Sequence, residues 1–280
     1  MEFAFTILSY LCSLLYFLPL IFVAGILYDF VRYKTLSSAS LLKKHVVITG
    51  ASSGIGKSFA CEAARRGANV TLVARNVDKL KEAEIEVKKC CIDPMQGIST
   101  FSVDVTQSYS VIREAFAEIE KEGGPIFMLM NCAGTAVCGI LEDISPADIK
   151  NMTDLNYHGS VFPTKAVIEG MKSRGEGHVI FTASEAAFLG IYGLAPYSAS
   201  KYALRGFAEA LQMEVKYSGL QVTVAFPPDT DTPGFEIEEL SKPRETRLIC
   251  QSSGLLKPDT VAIKIMNDAL HYNMKRYLMN

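Results

Sequence analysis

The chain has 280 residues, a formal net charge of −2, and 49% of its residues are apolar. That length accommodates one full α/β domain with a large core. The near-neutral balance supplies no field for nucleic acid, and no run of like charge marks an interaction tail.

The first element in chain order is a 26-residue run, Phe3 to Tyr28, without a single charge. As a helix it would extend roughly 39 Å at about 1.5 Å per residue, more than the roughly 30 Å hydrocarbon core of a bilayer. Pro19 is tolerated in membrane helices. A cleaved signal peptide would need a basic start, a shorter apolar stretch and a small-residue cleavage site. Glu2 and the exit Leu27-Tyr28-Asp29-Phe30 supply none of these. The reading is an uncleaved transmembrane anchor over residues 1–30. Arg32, Lys34, Lys43 and Lys44 follow it, which places the rest of the chain in the cytosol by the positive-inside rule. Residues 31–44 read as a linker and 45–280 as the folded domain.

From His45 onward short apolar runs alternate with helical patterns. Strands are predicted at 45–49, 70–75, 101–105, 127–131, 178–183 and 221–226. Helices are predicted at 57–66, 77–89, 110–122, 148–174 and 197–217. Strands that read as apolar runs are buried on both faces, as in parallel sheets, and right-handed crossovers then give a doubly wound, Rossmann-type α/β sheet. Residues 229–256 break the rhythm with Pro, Thr and Glu. A long loop in a compact domain points to function, here a substrate lid.

Directly after the first strand comes Gly50-Ala51-Ser52-Ser53-Gly54-Ile55-Gly56. Glycines let a backbone approach a pyrophosphate, and a helix N-terminus offers free N–H groups and a positive dipole end. Arg75 ends the second predicted strand, 19 residues beyond Gly56. An acid near this position binds a ribose 2′-hydroxyl, whereas an Arg accommodates a 2′-phosphate. With Ser52, Ser53 and Lys79 as further donors, the expected cofactor is NADPH, although Asp78 is a carboxylate close by. Asp104, with Val105 beside it, would suit the adenine amino group; the rival role for Asp104 is a helix cap.

Tyr197-Ser198-Ala199-Ser200-Lys201 follows Ser184 by thirteen residues. On a helix Tyr197 and Lys201 are i and i+4 and share a face. A cation at close range favours a phenolate and lowers its pKa from about 10, which would let Tyr197 exchange a proton near neutral pH. Ser184, at the end of the fifth predicted strand, could hydrogen-bond a substrate carbonyl oxygen as charge develops. The seven cysteines (Cys12, Cys61, Cys90, Cys91, Cys132, Cys138, Cys250) form no CxxC pair or framework and read as reduced thiols. The four histidines lack metal-ligand spacing, so no metal is expected.

The segments TGASSGIG, Asn131-Cys132-Ala133-Gly134, Asn156-Tyr157-His158-Gly159, Ser184 and YSASK resemble the short-chain dehydrogenase/reductase family over residues 45–270. The resemblance implies that Asn131, Ala133, Gly134, Pro227, Thr230 and Thr232 border the cofactor, and that Asn156 holds a water in the proton relay. Cys132 stands where the family usually has Asn, and Pro227-Pro228 replaces a Pro-Gly. Residues 209–216, 227–235 and 242–249, with the anchor, resemble one subfamily. That resemblance implies NADPH-driven reduction of a long-chain ketone lipid, 3-ketosphinganine, to sphinganine. It also implies a location at the endoplasmic reticulum membrane with the site facing the cytosol, and leaves a homodimer open. The alternatives are another lipid or steroid carbonyl reductase of the family, and a non-catalytic NADPH-binding scaffold.

Overall fold

The computed structural model describes residues 17, 20, 23–25, 41–251 and 254–270. The chain separates into two compact units, Met1–Ala39 and Ser40–Asn280. Of the apolar run 3–28, Phe17, Leu20 and Val23–Gly25 are described, each helical and exposed, and the remainder lies outside the described residues. Among the described residues no helix is long and apolar enough to cross a membrane. The expected transmembrane helix is therefore corrected: among the described residues the fold is a parallel α/β domain without that element. The expected membrane contact and endoplasmic reticulum membrane location rested on that helix and lose their support with it.

The second unit holds six parallel strands, β1 (His45–Thr49), β2 (Asn69–Ala74), β3 (Ile98–Ser102), β4 (Ile126–Asn131), β5 (Gly177–Thr182) and β6 (Leu220–Ala225). Their order is β3-β2-β1-β4-β5-β6. Every residue of β1 and β5 is buried, which explains why Val46–Ile48 and Val179–Phe181 read as apolar runs without polar alternation. β3 lies at the sheet edge and is only half-buried; it starts three residues before the predicted segment, because its pairing with Val70–Ala74 sets its limits. The order reverses between β1 and β4. Ligands of open α/β sheets bind beyond the carboxyl ends of the strands at such a switch point.

The helices are α1 (Gly54–Arg65), α2 (Val77–Lys88), α3 (Tyr109–Gly123), α4 (Pro146–Thr153), α5 (Gly159–Arg174), α6 (Ala195–Val215), α7 (Pro233–Ser241), α8 (Arg244–Cys250) and α9 (Pro258–Leu270). In α6, Leu204, Ala208, Leu211 and Val215 form the buried stripe that a 3.6-residue period creates. It joins Phe116 of α3, Val167 of α5, and Val47, Leu129 and Phe181 of the sheet in one core. α1, α2 and α9 form a second packed layer. Ser58 of α1 donates to Asp259 of α9 at 2.5 Å.

Two elements differ from the sequence pattern. The helix expected over 148–174 is broken into α4, a π turn at Asp154–His158, and α5. The wider turn carries Asn156, which is fully buried. The 229–256 segment is not an irregular loop, since it forms α7 and α8. Pro233 at the first turn of α7 and Thr232, whose hydroxyl accepts from the Phe235 N–H at 3.1 Å, start that helix.

Candidate active site

The carboxyl ends of β1, β4 and β5 open into one cavity of about 640 Å³. One end is built by the turn from β1 into α1. Gly50 has φ +68°, and a Cβ there would lie 2.8 Å from the Ala133 backbone. A Cβ on Gly56 would lie 2.5 Å from the Gly50 carbonyl oxygen. The glycines thus let the turn fold against itself and against the strand β4 exit. Ser53, at the N-cap of α1, makes no side-chain cap bond, and no acidic residue occupies the first turn. The N–H groups at this helix end, with Ser52, Ser53, Gly54, Ile55 and Gly56 lining the cavity, remain available to an anion. The residues present therefore fit a dinucleotide pyrophosphate.

Beyond β2 the same cavity is lined by Arg75 and Lys79. The Arg75 side chain is 62% exposed, and its Nη1 lies 3.8 Å from Asp104. A solvated pair at that distance is weak and leaves the guanidinium able to meet a phosphate. Asp104 itself does not line the cavity; it accepts from the Thr106 N–H at 3.0 Å and hydroxyl at 2.8 Å, closing the turn after β3. Val105 lines the cavity, and Asp78 does not. The cavity wall at this end therefore carries two cations and no carboxylate, as a 2′-phosphate requires.

Ala133 and Gly134 line the middle of the cavity, whereas Asn131 and Asn156 lie behind it. Asn131 donates to Thr164 at 3.0 Å. The N–H groups of Cys132 and Ala133 donate to the Thr49 hydroxyl at 3.2 and 3.3 Å, fixing the β4 exit against β1. Asn156 accepts from the Thr135 N–H at 2.8 Å and donates to Ser200 and to the Thr135 carbonyl, each at 2.9 Å. A Cβ on Gly134 would lie 3.1 Å from Asn156 Oδ1 and 3.5 Å from Lys201 Nζ, so these three residues meet.

At the far end, Ser184, Tyr197 and Lys201 line the cavity together. Ser184 lies two residues beyond β5 and caps a short 3-10 turn, its Oγ accepting from Ala186 N–H at 3.2 Å. Tyr197 is in the first turn of α6 and faces the cavity beside Ser184. Lys201 Nζ lies 5.7 Å from the Tyr197 ring centroid and donates to the Thr182 carbonyl at 2.8 Å. Burial pushes the Tyr197 phenol above its usual range, the Ser184 hydroxyl opposes this, and Glu238 and Asp229 add to the rise. Burial lowers Lys201 to about 8, with the nearby Cys132 opposing. The expectation that Lys201 would bring the phenol down is thus corrected: in the protein alone burial sets the shift, and Tyr197 holds its proton at neutral pH.

Pro227, Thr230 and Thr232 border the opposite wall. Thr230 is buried and donates to the Pro228 carbonyl at 2.8 Å. Thr232 packs on the α1 turn, where a Cβ on Gly54 would lie 2.9 Å from its Cγ2. Sequence reasoning missed the remainder of this wall: Glu185, Leu189, Ile191, Asp229, Phe235, Glu238 and Ile249. Behind it the Lys242 ammonium has no exposed side-chain surface and lies 2.6 Å from Glu239, 3.1 Å from Glu238 and 3.5 Å from Asp229. Burial alone would lower that ammonium, but the three carboxylates hold it above its usual range. The signal was present as Glu238 and Glu239 at i−4 and i−3 from Lys242, a helical ion-pair spacing.

Comparison with known proteins agrees with this architecture. An archaeal alcohol dehydrogenase from Thermococcus sibiricus, solved in complex with 5-hydroxy-NADP, superposes with a TM-score of 0.72 at 26% identity, covering 85% of this chain and 96% of that one. Levodione reductase shares the fold with a TM-score of 0.76 at 20% identity, covering 84% and 95%. A 3-ketodihydrosphingosine reductase of Bos taurus is 49% identical over 229 residues, 82% of this chain and 69% of the bovine one. A 3-dehydrosphinganine reductase of Danio rerio is 48% identical over the same shares. The short chain dehydrogenase family model matches residues 44–241, and the chain belongs to that family.

Proposed function

We propose that this protein is an NADPH-dependent reductase that converts 3-ketosphinganine to sphinganine. The observation that carries the chemistry is that Ser184, Tyr197 and Lys201 line the same cavity as the anion-binding α1 turn, with Tyr197 and Lys201 one turn apart on α6. The Bos taurus and Danio rerio relatives act, by their names, on this sphingoid ketone, and their identity to this chain over 82% of its length supports the same substrate.

The hydride is what NADPH supplies when bound. The α1 turn and Ser52–Gly56 would hold its pyrophosphate, and Arg75 with Lys79 its 2′-phosphate. Ser184 hydrogen-bonds the ketone oxygen and orients the carbonyl towards Tyr197. Because the phenol keeps its proton at neutral pH, Tyr197 is the general acid that protonates the oxygen as negative charge develops there. The phenolate so formed is stabilised by the Ser184 hydroxyl and by Lys201, one turn along α6. Lys201, Asn156 and Gly134 meet behind the tyrosine, the place from which a proton is resupplied. Exposed Leu189 and Ile249 at the cavity wall suit an alkyl chain.

NADPH oxidation followed with 3-ketosphinganine, against steroid and retinoid ketones, tests the substrate. The proposal expects turnover on the sphingoid ketone to exceed the others at least tenfold in kcat/KM. Preference for a steroid or retinoid ketone would replace it with another lipid reductase.

A further inference from the structure

The cavity is lined by opposite charges at its two ends. Arg75 and Lys79 line the cofactor end. Three carboxylates line the end that holds Ser184 and Tyr197, and each comes from a different element. Glu185 opens the 3-10 turn directly after Ser184. Asp229 stands in the connection after β6, where its carbonyl accepts from the Leu256 N–H at 3.0 Å. Glu238 lies on α7. Lys242 supplies counter-charge from behind this wall; it does not line the cavity, and its side chain has no exposed surface. Its ammonium sits closest to Glu239, at 2.6 Å, against 3.1 Å for Glu238 and 3.5 Å for Asp229. Glu239 is not part of the cavity wall, and it also pairs with Arg247 at 3.0 Å. Both cations behind the wall therefore serve Glu239 first, and negative charge is left in excess on the cavity side. The Glu238 side chain is 16% exposed and that of Asp229 25%, so water screens this charge poorly. Burial pushes all three cavity-lining carboxyls up, with Lys242 opposing at Asp229 and Glu238. A cation entering the cavity would favour their charged forms.

We propose that Glu185, Asp229 and Glu238 form a specificity subsite for a primary ammonium group on the carbon next to the reacting ketone. The inference rests on the sphingoid-ketone reading above, because 3-ketosphinganine carries a primary amine at that carbon. Ser184 takes the ketone oxygen, and Glu185 is its neighbour in the chain. An ammonium one carbon from the carbonyl meets the acidic wall while the carbonyl stays on Ser184 and Tyr197. Its N–H groups are donors only, and carboxylates are acceptors only, so the two sets match. Lys242 acts here as a positioning residue: it ties α7 to the connection after β6 and holds Glu238 and Asp229 at the wall. A long-chain ketone without the amine would bury these carboxylates unpaired, which costs binding. The wall thus selects amino ketones from neutral lipid ketones of the same length.

The test compares kcat/KM for 3-ketosphinganine with that for the same ketone bearing hydrogen in place of the amino group, at saturating NADPH. It uses the full-length protein as wild type, Glu185→Gln, Asp229→Asn and Glu238→Gln. An effect of any substitution on the Tyr197 phenol or on the cofactor acts on both ketones and cancels in the ratio. Wild type should prefer the amine by about tenfold or more. Each variant should lower that ratio by about threefold or more, through KM for the amine, and Glu238→Asp should retain more of it than Glu238→Gln. As a measurement that needs no variant, octadecylamine should inhibit wild type about tenfold more strongly than octadecanol, in competition with the ketone. Turnover of both ketones at equal kcat/KM, a preference that all three variants retain, or equal inhibition by the amine and the alcohol would each overturn the inference alone. Turnover of neither ketone would overturn the sphingoid reading and the inference with it.

Discussion

Replacing Arg75 with alanine isolates the residue on which the cofactor preference rests. Its side chain is 62% exposed and its partner Asp104 lies 3.8 Å away, so removing the pair costs the fold roughly 0–1 kcal/mol. Toward a cofactor 2′-phosphate the loss is larger. Unit charges about 4 Å apart interact by roughly 1 kcal/mol in water and about 4 kcal/mol at an effective dielectric of 20. Given the exposure of Arg75, a value near the lower half of that range applies, about 2 kcal/mol or about 30-fold in affinity. Lys79 remains on the same wall and keeps part of the attraction. NADH has a neutral 2′-hydroxyl, so its affinity should change less than about twofold. Binding titrations of NADPH and NADH to wild type and Arg75→Ala at low and high salt measure the difference, and the NADPH effect should shrink as salt screens it. Equal weakening of both cofactors would refute the 2′-phosphate assignment.

Two further predictions concern protonation. Lys201 is lowered to about 8, so its ammonium is lost as pH rises through that value. The rate of ketone reduction should therefore fall across pH 8 to 9; a profile flat to pH 10 would remove Lys201 from the proton relay. His178, fully enclosed in β5 and hydrogen-bonded to Thr223 at 2.8 Å, is lowered by burial to about 4. A folded-state value below the unfolded 6.5 means stability is complete above pH 6.5 and is lost as pH falls towards 4. Urea unfolding at pH 7 and pH 4 should show wild type losing about 3 kcal/mol more than His178→Asn, and identical losses would contradict the burial argument.

The sheet was legible in sequence wherever burial was two-sided. β1 ends where its apolar run ends, and β4, β5 and β6 are displaced by one residue at most at either end. β3 was misplaced because an edge strand with half-exposed residues carries little hydrophobic signal, and its limits are set by pairing with β2. The 148–174 helix hid its π turn because the extra residue leaves the apolar pattern nearly intact on either side. The substrate-side segment hid α7 and α8, whose buried faces are small and whose polarity reads as loop. Of the site, the α1 turn and the Tyr197–Lys201 spacing followed from local rules of turn and helix. The direction of the Tyr197 shift did not, because it depends on how much of the chain closes over the phenol. Nor did the meeting of Lys242 with Asp229, since residues apart in sequence become neighbours only through packing. The Phe3–Tyr28 run shows the converse: its apolar length led to an expected membrane span that no helix among the described residues provides.

The claim that Tyr197 is the proton donor is tested most directly by single-turnover reduction of 3-ketosphinganine by Tyr197→Phe, with NADPH affinity measured on the same sample. Loss of one general acid should slow the chemical step by about 10²–10⁴-fold while NADPH binds within about threefold of wild type, because the anion-binding turn at Ser52–Gly56 is untouched. Reduction at the wild-type rate in that variant would contradict the account.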